Sequence, residues 1–249
     1  MSKHSSPVLS NANEVLAAVL HHGAMSASGI AESTGIPRPK VYRLIEALKT
    51  TGMLSDRLDG TVELGTRMLR LGRAAQSSIE LVRAARTSLS ELREWSGHTS
   101  YLCTMQDGNA LCLDWSQSGT IGLPELRPGG TLPLHAGAAS LALLAANPHK
   151  LEGALAQEPF VPLTGVTMTT VAELSEEVRR TREREFSISD GDVTAGVAAV
   201  GVAITDNSLG ALGALSLSGV RSLVMPRVAQ IAEKLKEAAD STIERLNRS

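Results

Sequence analysis

The sequence predicts an α+β fold in which a small unit of three helices and a hairpin precedes a connecting helix and a larger mixed body. The first 65 residues carry three short amphipathic helical patterns and then an Asp-Gly hairpin signal. Beyond residue 78, apolar strands alternate with helices. The net charge also divides the chain, since it is +3 over residues 1–78 and −5 over residues 79–249. This division indicates two modules with different partners.

The composition is that of a folded protein and excludes several classes of function. Hydrophobic residues make up 43% of the 249 residues, which suffices for packed cores. The 24 Lys and Arg nearly balance the 26 Asp and Glu, so the chain has no overall basic coat for unspecific binding to nucleic acid. Aromatic residues are 2%, too few to stack successive single-stranded bases. Without a signal-peptide pattern or about 18 consecutive apolar residues, we expect a soluble, cytoplasmic protein.

The first unit has the helical pattern of a helix-turn-helix. An amphipathic first helix follows capping side chains at residues 10–14. Ser26 caps a second helix that runs to about Thr34. The third helix, about Arg38 to Thr50, begins beside Pro37, where a missing amide hydrogen costs nothing. The side chains expected in the core of these helices are Val15, Leu16, Val19, Leu20, Val41, Leu44, Ile45 and Leu48.

A short hairpin follows the third helix. Residues 53–56 and 61–64 can pair across Leu58-Asp59-Gly60, because Asp-Gly is a strong signal for a tight turn. Three helices with a glycine-containing turn before the third, and then a hairpin, make a winged helix-turn-helix.

The exposed face of the third helix is basic, with Glu46 as its single acid. In a winged helix-turn-helix this helix enters the major groove, where cations fix the register on phosphates and arginine can read guanine. We therefore predict DNA binding, against two simpler interpretations: a solvated charged face, and a winged helix that binds only protein. The candidate DNA contacts are Ser26, Arg38, Lys40, Tyr42, Arg43, Lys49 and Arg57.

Residues 66–78 are predicted to form a linker helix in which Leu69 lies among arginines. A second helical pattern runs from Ile79 through Trp95 and closes at Gly97. A linker helix without a core of its own can pack against a second copy of the chain or dock on its own body. Two-fold symmetry is the commonest oligomeric arrangement, which favours a dimer.

The body begins with a second Asp-Gly hairpin, and its turn is Asp107-Gly108. Across a two-residue loop, Cys103 and Cys112 stand directly opposite each other. The pair is either a redox switch or two small buried thiols that stay reduced in a cytosol.

The rest of the body alternates helices and strands, as in an α+β domain able to enclose a pocket. Small residues precede a helix over residues 141–146, and Thr170-x-x-Glu173 is a capping box that opens a helix to about Glu185. Apolar strands follow at residues 197–204 and 211–217, and Ser216 and Ser218 share one face of the second. A final helix spans about residues 224–247.

No motif for nucleotide binding, nucleophilic catalysis or metal ligation occurs, and the six histidines lack the spacing of metal ligands. We therefore expect no cofactor, no metal and no enzymatic activity. The rival interpretation is an enzyme with an unrecognised acid–base pair, such as His135 with Asp190.

Several runs of residues, in order and spacing, carry a resemblance to a known family. In the first unit they are Ala31-Glu32-Ser33-Thr34-Gly35-Ile36-Pro37, Val41-Tyr42-Arg43-Leu44, Gly60 and Leu64-Gly65. In the body they are Leu132-Pro133-Leu134-His135-Ala136, Asp190, Gly196-Val197 and Leu215-Ser216-Leu217-Ser218-Gly219. On these residues the chain resembles the IclR-type bacterial transcriptional regulators over nearly its whole length.

The resemblance implies a winged helix-turn-helix DNA-binding domain over residues 1–65, a linker helix over 66–78 and a GAF-like effector-binding domain over 79–249. It also implies dimers or tetramers on a pseudo-palindromic operator, with a small organic acid as effector. The positions that match the effector pocket of the family are Ala138, Ala139, Ser189, Asp190, Ala199, Ser216 and Ser218.

The sequence departs from the family at Ser189, where Asp is common, and at Ala199, where Cys is common. These departures leave fewer polar anchors, so we expect a ligand that is less polar or differently held. Pro39 and Lys40 stand where small hydroxylated residues are usual, so the operator is expected to differ as well. We interpret the protein as a ligand-responsive regulator, a repressor in preference to an activator. The alternatives are an activator of the same architecture and a DNA-binding regulator without an effector.

Overall fold

The computed structural model describes residues 6–119, 126–206 and 210–248, and the chain divides into two compact units. The division falls between Ala75 and Gln76, inside the segment 66–78 that the sequence predicts as a linker helix. Separate apolar clusters form the cores of the two units. None of the described helices is long and apolar enough to cross a lipid bilayer.

The first unit is a winged helix-turn-helix. Its elements are α1 (Pro7–His22), α2 (Ala27–Thr34), α3 (Arg38–Thr50), β1 (Leu54–Asp56) and β2 (Val62–Leu64), and α4 (Thr66–Ser78) follows them. The predicted bounds of α2 and α3 are confirmed. Ser26 caps α2 by accepting a hydrogen bond from the backbone of Gly29, and Gly35 ends the helix with a φ of 69°.

The start of α1 differs from the prediction. The helix begins at Pro7, before the polar run at residues 10–14, because Ser6 is extended and Pro7 occupies the first turn. The short polar side chains of that run therefore lie inside the helix and do not cap it. Leu20, which was expected in the core, is 61% exposed.

An apolar core supports α3 from beneath. It joins Val15 of α1, Ile30 of α2 and Val41 of α3, all of them fully buried. Met25 and Val62 exchange two backbone hydrogen bonds of 3.0 and 2.8 Å, which tie the connection between α1 and α2 to the hairpin. The exposed face of α3 is thus presented on a packed support.

The second unit is a six-stranded antiparallel sheet with helices on both faces. Its strands are β3 (Thr99–Gln106), β4 (Asn109–Ser116), β5 (Thr131–Pro133), β6 (Ser187–Asp190), β7 (Val197–Asp206) and β8 (Gly210–Val220). Its helices are α5 (Glu80–Ser96), α6 (Ala138–Ala146), α7 (Pro148–Leu155), α8 (Val171–Arg184), α9 (Arg221–Val224) and α10 (Val228–Leu246). The strands lie in the order β5-β4-β3-β8-β7-β6.

The two faces of the sheet belong to two different cores. Leu215 and Leu217 of β8 pack with residues of α5 and α10. Tyr101 of β3 and Ala214 of β8 pack on the opposite side with residues of α6 and α8. Successive side chains of a strand alternate between its faces, so Ser216 and Ser218 lie on the α6 side, as predicted from their spacing.

Several elements of this unit differ from the sequence-based expectation. The strands β5 and β6 and the helix α7 were not predicted, and α6 begins at Ala138 instead of Leu141. The last helix begins at Val228 because Pro226 lies in a short 3₁₀ turn before it. The predicted turn over residues 206–208 falls mostly outside the described residues.

Candidate functional sites

The exposed face of α3 is the candidate nucleic-acid interface. At 3.6 residues per turn, Arg43 projects opposite the buried side chains, while Arg38 and Lys40 project from the two flanks. Tyr42 is 58% exposed. The face therefore presents a phenol and several cations without burying any of them in the unit.

The cations of α3 differ in how far neighbouring acids engage them. Within the described parts of the chain, no ion pair involves Lys40 or Arg43. Arg38 lies 3.5 Å from Glu32, but both side chains are more than half exposed, so water screens the pair and it exchanges readily. Lys40 and Arg43 are thus the cations most available to a phosphate or a base.

Lys49, a predicted DNA contact, is engaged on two sides within its own unit. Its Nζ lies 2.8 Å from Glu46 of α3 and 2.8 Å from Asp56 of β1. Hydrogen bonds to Asp56 and Glu46, in that order, raise the pKa of Lys49. This lysine joins the end of α3 to the hairpin, so it is less available than Lys40 or Arg43.

Two further predicted contacts also have local partners. On the hairpin, Arg57 lies 3.4 Å from Glu63 and 3.7 Å from Asp59. Hydrogen bonds from the side chain and backbone of Thr61 lower the pKa of Asp59. The same hydrogen bonds hold the turn between the two strands together. Ser26 accepts a 3.1 Å hydrogen bond from Gly29 and acts first as a helix cap.

The second unit brings most of the predicted effector residues together on the α6 face of the sheet. Two rows of paired residues cross β6, β7, β8 and β3 on this face. The first row is Ser189, Ala199, Ser218 and Thr99, and the second is Ser187, Gly201, Ser216 and Tyr101.

The start of α6 sits directly on the second row. Gly201 is where the helix approaches, since a Cβ there would lie 2.7 Å from the carbonyl oxygen of Ala138. The Ser187 hydroxyl donates a 2.5 Å hydrogen bond to the same carbonyl. Ala138 and Ala139, both at least 96% buried, are therefore held against the sheet beside Ser216 and Ser218.

A buried carboxylate that the sequence analysis did not single out lies beside these candidate residues. Asp192 is 7% exposed and follows β6. Its Oδ2 accepts a 2.9 Å hydrogen bond from the backbone N–H of Gly137, the residue before α6. Its Oδ1 accepts a short hydrogen bond from the hydroxyl of Ser189. No local spacing in the sequence marks it, because its partner Gly137 lies 55 positions away.

The structure does not bring Asp190 together with the other predicted effector residues. It pairs with Ala198, which belongs to the core on the α5 and α10 face, whereas Ser189 faces α6. The carboxylate of Asp190 receives a bidentate contact of 2.5 and 2.8 Å from Arg221. This pairing raises the pKa of Arg221. Asp190 therefore joins the end of β6 to Arg221, which follows β8, and Asp192 is the carboxylate that lies beside the candidate residues Ser189 and Ala138.

Two buried hydroxyls near this site have no hydrogen-bond partner in the part of the chain that the structure describes. They belong to Ser140 in the first turn of α6 and Ser218 in the first row, which are 0% and 1% exposed. Buried polar groups are nearly always satisfied, so an orphaned pair calls for an explanation.

His135 and Asp190, the acid–base pair of the rival enzyme interpretation, are engaged elsewhere. His135 stacks on Phe160 with ring centroids 4.8 Å apart, and its Nε2 lies 3.0 Å from the carbonyl oxygen of Val161. Among the described residues, no cluster of three or more His, Cys, Asp or Glu could hold a metal ion.

Cys103 and Cys112 are paired across β3 and β4, as predicted, and both are buried free thiols. A hydrogen bond with Cys103, together with burial, raises the pKa of Cys112. Since the thiolate is the reactive form of cysteine, this environment favours two reduced core side chains over a redox switch.

Two family models match the chain. The one described as "Bacterial transcriptional regulator IclR C-terminal" covers residues 73–243. The one described as "Sugar-specific transcriptional regulator TrmB" covers residues 11–62. The first match begins close to the division between the compact units, and the second lies entirely within the first unit.

Individual proteins are similar over nearly the same length. The HTH-type transcriptional regulator KipR of Bacillus subtilis is 24% identical over 223 residues, 88% of this chain and 89% of that protein. The transcriptional repressor IclR of Escherichia coli is 24% identical over 88% of this chain and 81% of its own length. An IclR homolog from Microbacterium hydrocarbonoxydans, crystallised with 4-hydroxybenzoate, has a TM-score of 0.81 at 23% identity. That match covers 97% of this chain and all of the other, and it confirms the predicted winged helix-turn-helix and GAF-like fold.

Proposed function

Because the chain belongs to the IclR family of bacterial transcriptional regulators, we propose that it is a repressor whose affinity for its operator is controlled by a small molecule. As a member of this family it is a DNA-binding regulator and not an enzyme. The proposal adds that the protein represses transcription, that an effector controls it, that particular residues contact the DNA and the effector, and that the chain associates with itself. Because a bacterial DNA-binding regulator acts on the chromosome, we place this protein in the cytoplasm.

The observation that carries the DNA-binding half of the proposal is the free cationic face of α3. Arg43 projects from the centre of that face and Lys40 from its flank, above a core in which Val41 is fully buried. A rigid helix with such a face can seat in the major groove, where lysine contacts phosphate and arginine contacts guanine. We assign further DNA contacts beside them to Arg38 and Tyr42. Ser26, Lys49 and Arg57 are proposed to lie closer to the sugar-phosphate backbone of the DNA.

The effector half rests on the polar site beneath α6. Among the described residues, the buried hydroxyls of Ser140 and Ser218 lack hydrogen-bond partners. A ligand that bonds to them can shift the arrangement of the two DNA-binding units of a dimer only if it binds one arrangement more tightly than the other. In one arrangement the two α3 helices of the dimer would reach half-sites about 34 Å apart on the DNA, and in the other arrangement they would not.

Repression is favoured over activation because two relatives carry it in their names, the IclR repressor of Escherichia coli and the acetate operon repressor of Salmonella typhimurium. Genome-wide footprinting of the chain, with a transcription reporter on the bound promoters, tests the proposal. Deletion of the gene should raise transcription there. Lowered transcription would indicate an activator, and binding that no metabolite extract alters would indicate a regulator without an effector.

Replacement of Ser218 by alanine should separate the effector response from folding. We expect the operator affinity of the free protein to stay unchanged and effector affinity to fall about fivefold to tenfold, because one hydrogen bond contributes about 1 kcal/mol. The melting temperature should hold or rise, since Ser218→Ala removes a buried hydroxyl without a partner. Fluorescence anisotropy on operator DNA and thermal denaturation measure these quantities. An unchanged effector response would remove Ser218 from the site.

Self-association is proposed to run through α4. This helix has no buried residue, and Leu69 and Leu71 are 65% and 47% exposed. We expect the wild-type protein to have at least the mass of two chains in solution, and Leu69→Glu to dissociate toward one. Light scattering after size-exclusion chromatography reports the mass. Leu223→Glu, at a leucine of α9 that is 56% exposed, is the matched control and should keep the wild-type mass. A monomeric wild-type protein would contradict the proposal.

A further inference from the structure

Pro39 lies in the middle of the exposed face of α3, in the first turn of the helix. The buried side chains of α3 are Val41, Leu44, Ile45 and Leu48. Successive residues of a helix are turned by about 100°, so the direction opposite these four side chains passes within about 10° of Pro39. Pro39 is exposed, and Arg43 follows it one turn later on the same face. A duplex that meets this face with the start of α3 therefore meets the ring of Pro39.

The start of α3 has few backbone donors for a phosphate. The first amides of a helix ordinarily lack partners within the helix and can bind an anion. Pro37 and Pro39 have no N–H. The N–H of Lys40 donates a 2.8 Å hydrogen bond to the carbonyl oxygen of Pro37. Phosphate contacts at this end of α3 therefore fall mainly to cationic side chains, and Pro39 presents only an apolar ring.

We propose that Pro39 contacts the methyl group of a thymine in each half-site of the operator and so helps to determine its sequence. The inference rests on the proposed entry of α3 into the major groove, where the first residues of a recognition helix meet the base edges. The thymine methyl is the apolar group of that groove, and apolar side chains contact it. Over another base edge the ring would cover hydrogen-bonding groups without satisfying them. Pro39 thus contributes specificity, whereas the cations of α3 contribute affinity through phosphates.

The test removes the thymine methyl groups of the operator one position at a time. Deoxyuridine in place of thymidine deletes only the methyl group and keeps the base pair. The purified full-length protein is titrated by fluorescence anisotropy with duplexes of the strongest genomic footprint, each carrying one such replacement in each half-site. We expect one thymine position at which wild-type affinity falls about threefold to fivefold, the effect of one buried methyl group. Pro39→Ser should bind the thymine and uracil duplexes of that position equally. Serine is accepted in the first turn of a helix, so this variant should keep its fold.

Pro7→Ser is the matched control, because Pro7 is also exposed in the first turn of a helix of the same unit, α1. It should keep the wild-type loss at that thymine. Wild-type protein that responds to methyl removal at no thymine would overturn the inference, and its preference for the footprint duplex over random duplex would leave the proposed DNA binding standing. A full wild-type loss in Pro39→Ser, with its helices intact by circular dichroism, would also overturn the inference. Wild-type protein without any preference for the footprint duplex would overturn the proposed function itself.

Discussion

Replacement of Arg43 by alanine is expected to weaken operator binding about 10-fold to 100-fold. Arg43 projects from the centre of the exposed face of α3, and no acid among the described residues pairs with it. An arginine that reads a base contributes about 1–3 kcal/mol and supports specificity at that base pair. The measurement is fluorescence anisotropy of the footprinted operator over a series of salt concentrations. If Arg43 contacts only phosphate, the loss should be similar on all sequences and the salt dependence should fall by about one ion.

The matched control for this variant is Arg180→Ala, which removes the same charge from an exposed position of α8 in the second unit. Its operator affinity should equal that of wild type. Circular dichroism should show that both variants keep their helices. Wild-type affinity of Arg43→Ala at every salt concentration would mean that α3 does not enter the groove with this face.

Replacement of Gly201 by alanine is expected to destabilise the second unit by about 1–3 kcal/mol. The new methyl group would lie 2.7 Å from the Ala138 carbonyl oxygen and 2.7 Å from the Ser187 hydroxyl. The backbone oxygen cannot move without lifting the start of α6, so the hydrogen bond between Ser187 and Ala138 would stretch or break. Urea denaturation measures the loss. Response to the effector should also fall, because α6 forms one wall of the proposed site.

Gly153→Ala is the control for that substitution. A Cβ at Gly153, in α7, meets nothing within 4 Å, and alanine is the better helix former by about 1 kcal/mol. The control should be as stable as wild type or more stable. If Gly201→Ala were equally stable, α6 would not pack on β7 as closely as the structure indicates.

The sequence predicted correctly those helices and turns whose bounds depend on residues close together in the chain. The bounds of α3 follow from Pro37 and from the apolar spacing of that helix, and α8 opens at the capping box of Thr170 and Glu173. The Asp107-Gly108 turn set the pairing of β3 with β4, including Cys103 opposite Cys112. In each case the residues that decide the structure lie within a few positions of one another.

The elements and residues that were missed depend on distant contacts. The strand β6 consists of Ser187, Ile188, Ser189 and Asp190, a polar run that becomes a strand by pairing with β7. The family resemblance suggested Asp190 for the pocket, but the alternation of a strand turns it to the other face. Asp192 enters the site because the turn after β6 meets Gly137, which lies 55 positions away in the sequence. Spacing along the chain does not predict such a meeting.

The most direct test of the central claim, that α3 recognises a particular duplex sequence, is competition binding with the purified full-length protein. A labelled duplex from the strongest genomic footprint is displaced by unlabelled copies of itself or by random duplex of equal length at physiological salt. The account predicts that the specific duplex competes about a thousandfold better or more, the range of sequence-specific regulators. Equal competition by the two duplexes, from protein whose circular dichroism shows folded helices, would contradict it.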